Sequence, residues 1–308
     1  MKVRQVFSSV VFQALLRSGR KLELSFAKLF CWLSGYQNHQ SVNGHSTDIL
    51  KSTSLTLLVY WSTSAMSSTT AGRTSDLYSA LELKNAGDIR LARIFSNETG
   101  KLHCELRVVD LERSPQYLAV SYTWGPSTNE EAAREVTNNP SQSITCNGHD
   151  VLITTNLYNF LVRVASKDIA RYEMWFDILC INQSDDIERS KQVKMMASIY
   201  NSAQLVVIWL GEEDQYTEDA FALVRRLGSL EEPNLKSITP RSMASEATLT
   251  LLHPYGDLKY WTAVTKLFQR RYFTRIWIIQ EITLARRRLA ICGSHEIGEI
   301  ASSAGRRC

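Results

Sequence analysis

Two short apolar runs, MWFDILCI at 174–181 and LVVIWLG at 205–211, bracket a polar segment of about one helix in length. No other feature of the chain narrows its fold so much. A nearly continuous apolar run of this size predicts a strand covered on both faces. Two such strands joined by a helix-length segment predict a parallel crossover. The segment between them carries its own helix signals. Asp185 and Glu188 have the spacing of a capping box. Behind them Val193, Met196, Ile199, Tyr200 and Ala203 recur at helical spacing and form one face.

Upstream, the chain alternates between strand and turn. IRLARIF (89–95) and LHCELRVVD (102–110), joined by SNETGK, predict a β-hairpin. YLAVSYTW (117–124) predicts a strand rich in β-branched and aromatic residues, stopped by Gly125-Pro126. SITCNGHDVLIT predicts a second hairpin that turns at Asn147-Gly148, and Asn156 is positioned to cap a helix through LYNFLVRVAS. Helices are expected at about 217–231, 257–270 and 274–286, with LAIC (289–292) as a last strand. This order of elements predicts an α/β fold. Its sheet should be open and mainly parallel, flanked by helices, with an N-terminal β-hairpin.

Charge separates the two ends of the chain. Residues 1–75 hold eight Lys/Arg against two acids, whereas the remainder holds 27 against 29. The body is near neutral, so its composition offers no nucleic-acid surface. Between Ser41 and Ser75, 16 of 35 residues are Ser or Thr, a composition that buries too little apolar area to offset chain entropy. Residues 1–75 are therefore read as a disordered N-terminal extension, 76–300 as the folded domain and 301–308 as a short tail. The first 30 residues are basic, Ser-containing and almost free of acids, and so also resemble a mitochondrial transit peptide. The six cysteines are scattered without a C-x-x-C pair. That fits reduced thiols in the cytoplasm better than a disulfide framework or a zinc site. No apolar run reaches the roughly 18–20 residues of a membrane helix, so no transmembrane segment is expected.

In open parallel sheets, ligands gather outside the carboxyl ends of the strands. Trp124-Gly125, Asp177 through Gln183 and Leu210-Gly211-Glu212 all fall at or beyond such ends. Residue type alone leaves two readings for each. Asn182 and Gln183 either line a cleft or satisfy loop backbone ahead of the helix. Asp177 is either a site carboxylate or a buried acid paired with Arg189 or another cation. Cys180 is a nucleophile or, as is commoner for its type, a small buried hydrophobe; no histidine is patterned to act as its base. In FTRIWIIQEITLARRR (273–288), Trp277 and Glu281 lie four apart on one helix face. A carboxylate beside an indole suits a tuned acid or an electrostatic stabiliser. A surface Glu paired with Arg275 or Arg288, beside a core Trp, is the plainer reading of the same residues.

YLAVSYTWG, MWFDILCINQSDDIERSKQVKMMASIYNSAQLVVIWLG and FTRIWIIQEI resemble, in that order, the three signature blocks of the fungal heterokaryon incompatibility (HET) domain, over about residues 78–298. Trp124 and Gly125 match the end of the first block. Asp177, Cys180, Ile181, Asn182, Gln183, Glu188, Arg189 and Gln192 match the central one, and Arg275, Trp277, Gln280 and Glu281 the last. The resemblance implies a signalling or assembly module of self/non-self recognition that promotes programmed cell death. It further implies a flavodoxin-like fold similar to TIR domains, self-association or other incompatibility proteins as partners, and no required cofactor. The 277–282 segment also looks like the Trp-x-x-x-Glu segment of NAD-cleaving TIR domains. By that analogy Glu281 would be catalytic and NAD a substrate. The alternative function is then a NAD glycohydrolase whose nucleotide depletion kills the cell, although fold similarity does not carry activity with it. Residues 1–75 match nothing in the family, nor does the tail EIASSAGRRC. A complete short HET protein and a truncated one are both expectations.

Overall fold

The computed structural model describes residues 76–128, 142–165, 167–238, 242, 245–275 and 278–298. The expected N-terminal extension and tail, residues 1–75 and 301–308, lie outside the described residues, and so does Trp277. Two compact units are formed. One runs up to Gly211 and takes back Arg275–Arg288; the other comprises Glu212–Thr274 and the stretch that starts at Leu289.

In the first unit β1 (Asp88–Ser96) and β2 (Leu102–Asp110) make the expected hairpin, in antiparallel register from Asp88↔Asp110 to Ser96↔Leu102. β3 (Tyr117–Ser121) follows, and β4 (Gln142–Cys146) and β5 (His149–Ile153) make the second hairpin. Its two-residue turn needs positive φ at both positions, and Asn147 at 47° and Gly148 at 83° supply it. Helix α1 (Thr155–Ala165) comes next. Its first turn is capped by Thr154, whose hydroxyl accepts from Leu157 N at 3.3 Å. The expected cap, Asn156, lies inside that turn, because its amide is committed elsewhere. It donates to Thr123 O and accepts from Trp209 Nε1, at 2.8 Å each.

β6 (Glu173–Trp175) is much shorter than the apolar run at 174–181 predicts, since the chain bends at Phe176 into a single helical turn, α2 (Asp177–Cys180). Every residue from Met174 to Ile181 is buried. A short run buried all round has no periodicity that separates strand from helix. α3 (Asp186–Ser202) is the expected helix, and it buries Gln192, Val193, Met196, Ile199 and Tyr200, with Ala203 just past its end as the C-cap. Asp185 caps it by accepting from Ile187 N and Glu188 N at 2.9 and 3.0 Å. Glu188 does not complete the capping box; its carboxylate binds Arg90 and Asn182 N instead. β7 (Leu205–Trp209) ends the crossover.

These strands hydrogen-bond in the order β5-β4-β2-β1-β6-β3-β7. β3 lies parallel to both β6 and β7, and β2 to β4, while the β1–β2, β1–β6 and β4–β5 pairs are antiparallel. The sheet is thus mixed, not mainly parallel as the sequence suggested. In the β1–β2 and β4–β5 pairs, short hairpin turns return the chain antiparallel and leave no room for a crossover helix.

Pleat and register assign helices to the two faces. Ala119 of β3 aligns with Trp175 of β6 and Val206 of β7. On that side Tyr117 Oη donates to Ile199 O at 2.5 Å, and Trp175 meets Tyr200 edge-on at 5.6 Å, so α3 covers it. On the other face the Trp209 ring meets Phe160 of α1 at 5.7 Å.

The second unit holds α4 (Thr217–Gly228), α5 (Glu232–Ser237), α6 (Glu246–Leu252) and α7 (Leu258–Phe268); α4 packs on α7, each burying its apolar stripe. In the first unit the returning segment forms α8 (Ile278–Thr283), shorter than the 274–286 expected. Back in the second unit, β8 (Arg288–Cys292) pairs antiparallel with β9 (His295–Gly298). Among the described residues, no helix is long and apolar enough to cross a membrane.

Candidate functional site

β3 and β6 are parallel neighbours, so the residues just past their carboxyl ends meet. Asp177, the first residue of α2, receives two hydrogen bonds there. Tyr122 Oη donates to Oδ1 at 3.0 Å and Trp124 Nε1 to Oδ2 at 2.8 Å. Ser121, the last residue of β3, donates to Glu281 Oε2 on α8. Arg275 grips the same carboxylate with both terminal nitrogens, at 3.1 Å to Oε1 and 3.4 Å to Oε2. Glu281 is 1% exposed, whereas the Arg275 side chain keeps 20%. The guanidinium charge also acts on Asp177 and favours its ionised form, while the Glu281 charge opposes it. One cation therefore serves two buried carboxyls.

Burial pushes the Asp177 carboxyl up to about 6; Arg275 and the Trp124 and Tyr122 hydrogen bonds pull it down, and Glu281 raises it further. This pKa lies above the roughly 3.9 of an unfolded Asp, so the folded state binds the proton more tightly than the unfolded chain does. Stability from this group is complete below about pH 4 and falls as pH rises to about 6. The expected loss is on the order of 2–3 kcal/mol, and it should vanish in Asp177→Asn. Urea unfolding at pH 4 and pH 7 measures both slopes. An unchanged slope in the variant would assign the pH dependence to other groups. Burial and the adjacent Asp177 also hold the Tyr122 phenol protonated, well above its usual range.

The rest of the central block builds the loop around Asp177. Gln183 Nε2 donates to Asp177 O at 2.8 Å, and Arg189 Nη1 to Gln183 O at 2.9 Å. Arg189 pairs with Asp186 at 2.5 Å and not with Asp177; Arg275 is the cation that acts there. Asn182 Oδ1 accepts from Ser184 N at 3.1 Å, and Gln192 Nε2 donates to Asp88 O at 2.9 Å. Asn182 and Gln183 thus bond loop backbone groups, whereas Gln192 ties α3 to the start of β1. Cys180 is fully buried, and burial pushes its thiol up to about 12, so no thiolate nucleophile stands there at neutral pH. Gly125 lies half-buried in the bend after Trp124. The surface reading of Glu281 fails on its burial, while its expected partner Arg275 is present. Arg288 instead donates to Ile282 O at 2.8 Å.

Three residues escaped the sequence reading. Ser121 and Tyr122 stand beside Trp124 at a strand end, and that position was the available signal. Arg90 is fully buried in β1. It donates to Leu81 O at 2.9 Å, to Cys180 O at 3.2 Å, and to the two Glu188 oxygens at 2.6 and 3.0 Å. The two arginines of β1 were visible; which of them is buried, and its partner 98 residues away, were not.

The family described as heterokaryon incompatibility protein (HET) matches residues 117–281 of this chain, which takes in the whole Ser121–Glu281 cluster. The chain is also 27% identical over 229 residues to heterokaryon incompatibility protein 6, OR allele, of Neurospora crassa, covering 67% of this chain and 33% of that protein. It thus spans about a third of the length of that curated relative. No solved structure matches it.

Proposed function

The chain belongs to the heterokaryon incompatibility (HET) family, and from that membership we propose that it acts in fungal self/non-self recognition, as a signalling and assembly module that promotes programmed cell death. Its partners in this reading are further copies of itself or other incompatibility proteins, met in the cytoplasm. The observation that carries it is the state of Glu281. Its charge is already matched inside the protein, by both terminal nitrogens of Arg275 and by Ser121, at 1% exposure. A carboxylate so engaged supports a structural strut better than a group facing a substrate. It is also too buried to be an assembly contact itself, so it would act by holding the site in shape.

One observation favours a second reading, a TIR-like NAD glycohydrolase. Two carboxyls lie beyond the ends of parallel strands, where α/β sheets bind ligands. The parallel strands β6-β3-β7 run 2-1-3 in chain order, which agrees with the start of a flavodoxin-like sheet. Glu281 would then stabilise the positive charge that develops as nicotinamide leaves, and Arg275 would have to release it first.

Glu281→Gln separates the two readings. Purified chain incubated with NAD is expected to release no nicotinamide above buffer, while its expression in a fungal host kills cells. Glu281→Gln should then lose killing and assembly together. Nicotinamide release by the wild type that falls about a hundredfold or more in the variant would establish the enzyme and sink the assembly reading.

A further inference from the structure

Cys104 of β2 and Cys146 of β4 are direct partners in the parallel register, and the neighbouring Cys146 holds the Cys104 thiol well above its usual range. Register partners on neighbouring strands stand roughly 4.8 Å apart, within the roughly 4.4–6.8 Å between Cα atoms that a disulfide spans. Side by side in a parallel pair, both side chains leave the same face of the sheet, and both are buried, at 2% and 0% exposure. Both are reduced.

We propose that Cys104 and Cys146 form an oxidisable dithiol, a modification site at which a hydroperoxide fastens the β4–β5 hairpin covalently to β2. The electrons balance. One cysteine, as its thiolate, attacks a peroxide oxygen and breaks the O–O bond; it becomes a sulfenic acid, and the leaving oxygen departs as water or an alcohol. The second sulfur then displaces the hydroxyl from the first, which closes the S–S bond and releases water. The two thiols give up two electrons and two protons, and the peroxide accepts them.

The position of the pair gives this bridge its effect. β5 and β4 end the strand order, and β4 pairs with β2 only at His103↔Thr145 and Cys104↔Cys146. The turn adds three bonds. Asn147 N donates to Cys104 O at 3.0 Å, and the Asn147 amide accepts from Leu106 N at 2.7 Å and donates to Leu106 O at 3.0 Å. So short a seam opens before the rest of the sheet does. The neighbouring thiol and burial hold the Cys104 thiol protonated, so oxidation waits on that opening. Cys180, the other thiol of this region, lies on α2 and is not a register partner of either.

The full chain treated with hydrogen peroxide, unfolded in excess iodoacetamide and digested without reductant tests this. The expected product is a peptide pair joined through Cys104 and Cys146, two hydrogens lighter than its reduced parts. The melting temperature before digestion should rise by several degrees and return on reduction. Cys104→Ala and Cys146→Ala should each abolish the cross-link. Recovery of both cysteines alkylated, or as sulfinic acids, or bridged to any other cysteine, overturns the proposal, and the wild-type map alone decides it.

Discussion

Replacing Arg90 with methionine should destabilise the first unit by on the order of 3–5 kcal/mol, the scale of breaking a buried ion pair from one side. The guanidinium is fully buried in β1 and lies over the Tyr78 ring at 4.9 Å from its centroid. It ties β1 to the preceding residues through Leu81 O, and to α2 and α3, 90 and 98 residues on, through Cys180 O and the Glu188 carboxylate. Methionine fills part of the volume but satisfies none of these acceptors. Glu188 would keep one donor, Asn182 N at 2.6 Å, and its charge would lack a cation. Removing that charge as well should recover part of the loss, so Arg90→Met with Glu188→Gln is expected to be more stable than Arg90→Met alone. Urea unfolding of the four proteins in the cycle measures this. A single-variant loss below about 1 kcal/mol would mean the pair behaves as a solvent-screened one.

Replacing Arg275 with methionine is the second large effect, and pH gives it a signature. Glu281 would keep Ser121 as its donor at 1% exposure, with the Asp177 carboxyl nearby. A loss of roughly 3–5 kcal/mol is expected near pH 7, and the proposed function adds loss of cell killing to it. Asp177 sits at about 6 with Arg275 pulling it down, so without the guanidinium its pKa climbs. A carboxyl raised in the folded state contributes most when protonated and loses that contribution as pH rises. The deficit of Arg275→Met should therefore shrink toward pH 5. Arg275→Lys should recover only part of it, because an ammonium cannot repeat the two-nitrogen grip on one carboxylate. Equal deficits at pH 5 and pH 7.5 would rule Arg275 out as the cation for these carboxyls.

What could be read in advance followed from local signals. Asn147-Gly148 announced its hairpin because few residue pairs supply two positive φ angles, and the face of α3 was legible because its spacing is a property of the helix alone. β6 was misjudged because MWFDILCI is buried all round, and the bend at Phe176 leaves no mark in hydropathy. Asn156 is not the cap because its amide is committed to Thr123 and Trp209, two partners distant in sequence, and the Thr154 hydroxyl takes the capping role. The candidate site was half legible. Asp177 and Glu281 stood out as carboxylates at motif positions, and Arg275 was named beside Glu281. That the same Arg also serves Asp177 depends on two strands ending together, which local spacing does not record.

The division of the chain has a consequence for its synthesis. The first unit is discontinuous: residues 212–274 intervene before Arg275–Arg288 return to it. A nascent chain emerges N-terminus first, so Ser121, Tyr122 and Asp177 leave the ribosome well before Arg275 and Glu281. Until then one buried carboxyl and one strand-end hydroxyl wait without their cation and acceptor. The polar cluster is thus completed only by the last segment of its unit to be made. Any product that stops before residue 275 carries strands β1 to β7 of this sheet without Arg275 and Glu281, which complete the site.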